Sequence, residues 1–166
     1  IQNNNKKNVN DMNESIHIAC SQNSVDVLKL LLTCDGIETN QTNKNGTTPL
    51  YISSLKGHTD IVNLLLGCDS IEVNQSISNG STSLFIASQE GRDDIATSLL
   101  EAGGDVNLSR TTDGVSPLYI ASQQGHLNTV QVLVGAKDIQ VNHSHTNDGS
   151  TPLFIASGKG YIEIVR

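Results

Sequence analysis

Apolar positions in this chain come in short clusters that return at a near-constant interval. Asn45-Gly-Thr-Thr-Pro-Leu-Tyr-Ile-Ser-Ser, Asn79-Gly-Ser-Thr-Ser-Leu-Phe-Ile-Ala-Ser, Asp113-Gly-Val-Ser-Pro-Leu-Tyr-Ile-Ala-Ser and Asp148-Gly-Ser-Thr-Pro-Leu-Phe-Ile-Ala-Ser repeat one pattern of polar turn and apolar run. Their glycines, Gly46, Gly80, Gly114 and Gly149, lie 34, 34 and 35 residues apart. Gly57, Gly91, Gly125 and Gly160 repeat the same intervals. Two markers in one register define a tandem array.

Each unit predicts the same elements. Asn-Gly or Asp-Gly supplies the positive φ of a tight turn. Thr48, Thr82, Ser116 and Thr151 stand at a helix N-cap. Pro49, Pro117 and Pro152 take the first helical position, where a missing N–H costs little. The short helix ends at Gly57, Gly91, Gly125 and Gly160 as left-handed caps. A second helix opens with Asp60, Asp94, Asn128 or Glu163, and the carboxylates suit its N-terminal dipole. The run Ile61, Val62, Leu64, Leu65 and Leu66 covers so much of the helix that neighbours must bury it on several sides. Short extended segments ending in Asn40, Asn74, Asn107 and Asn142 lead to the next turn and read as hairpin-like fingers.

A turn, then Thr-Pro-Leu, Gly-His, a Leu-rich helix and Asp-Val-Asn resembles the ankyrin repeat over about residues 13–166. Tetratricopeptide repeats share the period but lack the turn glycine and the finger. The resemblance implies an all-α repeat solenoid, an ankyrin-like stack of helix-turn-helix units with short β-hairpin-like fingers. Residues 1–12 form a polar N-terminal segment. Repeats fall at about 13–43, 44–78, 79–112, 113–147 and a truncated 148–166, so the chain reads as a piece of a longer array. The fingers before Gly114 and Gly149 are one residue longer than those before Gly46 and Gly80.

The chain departs from the family pattern at several places. The His of Thr-Pro-Leu-His stands only at His17; Tyr51, Phe85, Tyr119 and Phe154 replace it, so ring packing should substitute for a Thr–His bond. The third repeat is expected to be softest, with Ser83 for Pro, Arg92 for His, and Ala96 and Ser98 in the apolar run. Thr129 takes a normally aliphatic place.

Composition narrows the function. Aromatics are only 3% of the residues, which suits thin aliphatic layers rather than one thick core. A net charge of -7 disfavours nucleic acid, and no apolar run spans a bilayer. The Asn-rich start is no signal peptide. Three cysteines, Cys20, Cys34 and Cys68, suit a reducing, intracellular setting, the cytoplasm, rather than a disulfide framework. Stacking keeps Cys34 and Cys68 too far apart to bridge.

Motifs for chemistry are sparse. His143-Ser-His145 has ligand spacing but too few partners for zinc. His58 and His126 recur at equivalent positions, which points to bridging the inter-helix turn rather than catalysis. The Asn-x-Ser/Thr triplets at Asn40, Asn74, Asn107 and Asn142 coincide with the repeat's own Asn. No phosphate loop or nucleophile elbow is present.

The resemblance implies a non-enzymatic scaffold that binds a protein partner on the concave face. It implies no catalytic or metal residues, no cofactor, no nucleic acid, no membrane insertion and no small-molecule substrate. Contacts are expected beside the turn glycines: Lys44, Asn45 and Thr47; Ser78, Asn79 and Ser81; Thr112, Asp113 and Val115; Asn147, Asp148 and Ser150. Further contacts are expected at the ends of the first helices: Leu55 and Lys56, Gln89 and Glu90, Gln123 and Gln124, and Lys159. The alternatives are a regulatory or targeting array attached to a catalytic or channel domain outside this segment, and a structural spacer.

Overall fold

The computed structural model describes residues 2–166, with side chains from Asp11 onward. Among them the helices are α1 (Gln2–Ser21), α2 (Val25–Leu32), α3 (Pro49–Lys56), α4 (Thr59–Leu66), α5 (Ser83–Gln89), α6 (Asp93–Glu101), α7 (Pro117–Gln124), α8 (Leu127–Val134), α9 (Pro152–Lys159) and α10 (Ile162–Val165). Odd-numbered helices pack on one another in one layer, and even-numbered helices in a second. α1 runs continuously through residues 12 and 13, so the polar segment and the first repeat share one helix.

The caps follow the sequence pattern. Thr48, Thr82, Ser116 and Thr151 accept from the N–H groups of Tyr51, Phe85, Tyr119 and Phe154 at 3.1, 3.2, 3.1 and 3.3 Å. The third repeat keeps its cap bond although Ser83 replaces Pro, because the cap resides in Thr82. Gly57, Gly125 and Gly160 end their helices at φ 75°, 80° and 76°. α5 ends one residue sooner at Glu90, and Gly91 then takes φ 66°.

The fingers fold as turns; no strand occurs among the described residues. One backbone bond closes the base of each. The N–H groups of Asn43, Ile77, Arg110 and His145 donate to the carbonyls of Thr47, Ser81, Val115 and Ser150. With the bond from the turn glycine N–H back to the same base residue, this makes a closed turn and not a strand ladder. The extra residue of the two longer fingers reaches back to the finger before it. Thr111 N–H donates to Asn79 C=O at 2.8 Å, and Thr146 N–H to Asp113 C=O at 2.9 Å.

Asparagines tie the opposite edge together. Asn40 accepts from Glu72 N–H at 2.9 Å and donates to Ser70 C=O at 2.6 Å. Asn74 and Asn107 make the same pair of bonds to Asp105 and Gly103, and to Gln140 and Asp138. These amides are committed between repeats, which explains why each unit carries an Asn there.

Leu28, Ile61, Val62, Leu65, Ile95, Leu99 and Leu133 form the fully buried centre between the layers. A smaller cluster of Phe85, Val115, Tyr119 and Ile120 lies apart from it. Thr129 shares the repeat position of Ile61 and Ile95 and is 1% exposed, with no partner for its hydroxyl among the described residues. A buried unpaired hydroxyl costs stability that a methyl does not. Thr129→Val should therefore raise the unfolding free energy by about 1 kcal/mol in urea denaturation. A loss of stability would show that the hydroxyl is satisfied.

Candidate functional site

The expected contact residues lie in the finger tips and at the ends of the first helices, and differ in exposure. Lys44, Asn45, Lys56, Ser78, Thr112, Gln124, Asn147, Asp148 and Lys159 are exposed there. Thr47, Leu55, Asn79, Gln89, Glu90, Asp113 and Gln123 are half-buried. Leu55 thus offers only part of its side chain.

Three expected contact residues are corrected by burial. Ser81, Val115 and Ser150 are 1, 3 and 8% exposed. Ser81 N–H donates to Asn79 Oδ1 at 2.9 Å inside its own turn. Val115 belongs to the small apolar cluster. Ser150 Oγ lies 2.9 Å from the Tyr119 hydroxyl and 2.7 Å from Asp148 Oδ1. Thr47, at the same position in the first finger, is half-buried.

Two finger-base side chains had not been singled out for this face. Arg110 lies over the Phe85 ring, 5.3 Å from its centroid, and its Nε donates to Asp113 at 3.0 Å. His145 stacks on Tyr119 at 5.7 Å and bonds Asp148 Oδ1 at 2.9 Å. The signal for them was the aromatic residue that replaces His earlier in the same repeat, whose face needs a cover. Hydrogen bonding to Arg110 holds the Asp113 carboxyl below its ordinary value. The Ser150 backbone N–H and hydroxyl, with His145, bring Asp148 down to about 2. Both carboxylates are therefore fixed negative charges at neutral pH.

The rings expected to act structurally do so. His58 Nδ1 meets the Cys20 carbonyl at 2.8 Å, and His126 Nε2 meets the Gln89 carbonyl at 3.0 Å. Each spans neighbouring repeats at the inter-helix turn. Arg92, at the same position, has a buried Nε without a partner among the described residues. His143 bonds Ser109 Oγ at 3.1 Å, apart from the role of His145. No group of three potential metal ligands occurs among the described residues. Burial pushes the Cys20 thiol up to about 11, and it raises Cys68, so neither is an activated nucleophile.

The family model described as ankyrin repeats (3 copies) matches residues 16–110 and 84–166. The chain belongs to the ankyrin-repeat family. No curated protein gives a significant match. Ankyrin repeats are generally non-catalytic modules for protein–protein interaction. In this ankyrin array, no described helix is long and apolar enough to cross a membrane.

Proposed function

We propose that this ankyrin-repeat array is a scaffold that holds a protein partner across its concave face, spanning several repeats. One observation carries the reading. Lys56, Glu90, Gln124 and Lys159 occupy one repeat position, all are exposed or half-buried, and none is in an ion pair among the described residues. They form a row beside the exposed tips Lys44, Asn45, Ser78, Thr112, Asn147 and Asp148. A row of mixed charge sets partner choice and encounter rate even where each contact adds little affinity. The net charge of -7 argues for a protein rather than nucleic acid. Three free thiols suit the cytoplasm.

The test begins with a partner recovered by pull-down on the array. Lys56→Glu combined with Glu90→Lys should weaken its binding at least about tenfold, because close charge pairs across an interface are strongly coupled. The melting temperature should stay nearly unchanged. Asn63→Lys with Thr97→Glu, on the exposed side of α4 and α6, should leave binding intact. The reverse outcome would put the partner on the convex face and end this reading.

A further inference from the structure

In two fingers the chain covers its own aromatic ring: Arg110 lies over Phe85 and His145 over Tyr119. The equivalent pair at the first finger is Asn43 and His17. Asn43 is tied within its own turn, where its Oδ1 accepts from the N–H groups of Asn45 and Thr47 and from the Thr47 hydroxyl, at 2.9, 3.2 and 2.9 Å. A cleft of about 360 Å³ remains between α1 and the finger, lined by Glu14, His17, Gln41, Thr42, Asn43 and Lys44 among others.

His17 is only 8% exposed. Its Nδ1 lies 2.9 Å from the Asn13 carbonyl. A carbonyl only accepts, so Nδ1 carries a proton, and in the neutral imidazole Nε2 is then the acceptor. That Nε2 is buried and has no partner among the described residues. A buried acceptor left without a donor is costly.

We infer that this cleft is a binding site for a guanidinium, the arginine side chain of the protein partner. The inference deepens the proposed function, since exposed Lys44 belongs to both surfaces. A guanidinium supplies the N–H donors that Nε2 needs, and the Glu14 carboxylate gives it a counter-charge. The chain places the same group at the equivalent point two repeats on, where Arg110 covers a ring beside Asp113. The tip of the first finger is less crowded than the later tips. A Cβ on Gly46 would meet nothing within 4 Å, whereas one on Gly80 or Gly114 would meet Thr111 or Thr146 of the next finger at 2.6 and 2.5 Å. The Lys44 ammonium is a like charge on the rim, which its removal can test.

The experiment titrates N-acetyl-arginine amide into the full chain with labelled histidine and follows the His17 ring nitrogens by NMR. The free protein should show the Nδ1–H tautomer. The probe should move the Nε2 signal saturably in the millimolar range, whereas N-acetyl-leucine amide and acetate should not. Glu14→Gln should weaken the response about two- to fivefold, as expected for an exposed ion pair, and Lys44→Ala should strengthen it. His17→Phe should abolish probe binding, followed through the finger backbone amides, without lowering the melting temperature, because Phe85 shows that a Phe fits there. No saturable shift with the arginine probe, or an equal response to leucine amide or acetate, would overturn the site. Lys56 and Glu90 lie outside the cleft, so a failed charge swap and a failed titration are separate results.

Discussion

Leu65→Ala should lower the unfolding free energy by about 2–5 kcal/mol, the range for a large-to-small change at a fully buried leucine. Leu65 is 0% exposed on α4, as are its equivalents Leu99 and Leu133 on α6 and α8. α4 packs on α2, α3 and α6, so the lost side chain leaves a void shared by three repeats. In a linear array each repeat is held only by its neighbours, and a defect in the second loosens the first and third together. The exposed Lys56 supplies the control: Lys56→Ala should stay within about 0.5 kcal/mol. Urea denaturation of the two variants decides the matter. Equal midpoints would mean that the buried and exposed faces have been exchanged.

The helical part of this fold was legible because its rules are local. A Thr or Ser cap, a Pro at the next position and a glycine at positive φ each act within one turn of helix, so reading the residues places the ends of α3, α7 and α9. The period supplied the stacking, and the ring-for-His replacement correctly announced packing at Phe85 and Tyr119. What lay hidden depends on the neighbouring repeat. Ser81, Val115 and Ser150 each sit one residue past a turn glycine, where the family resemblance implies a contact position, yet in this chain they are buried. The asparagine bridges were equally invisible, because Asn40 and Glu72 are 32 residues apart. The missing Pro of the third repeat weakens less than its absence suggests, since Thr82 retains the cap; the unpaired Arg92 Nε is the better sign of softness there.

Two glycines with the same backbone should respond differently to one methyl group. Gly46 and Gly91 both have left-handed φ, 72° and 66°. That conformation alone costs an alanine roughly 1–2 kcal/mol. At Gly46 nothing lies within 4 Å of an added Cβ, so Gly46→Ala should cost about this much and no more. At Gly91 the Cβ would come within 2.6 Å of His126 Nδ1 and 2.8 Å of Cγ, the ring atoms beside its attachment to the chain. The ring must then move, and its 3.0 Å bond to the Gln89 carbonyl goes with it. A lost hydrogen bond adds about 1 kcal/mol, and the lost packing adds to that. Gly91→Ala should therefore cost roughly 3 kcal/mol in all, from the backbone and bond contributions together. His126→Ala removes the ring that the methyl meets, so the double variant should be destabilised by less than the sum of the two single changes. Denaturant midpoints of the four proteins test this. Equal costs at Gly46 and Gly91, or strict additivity with His126→Ala, would show that the ring is not what holds Gly91 bare.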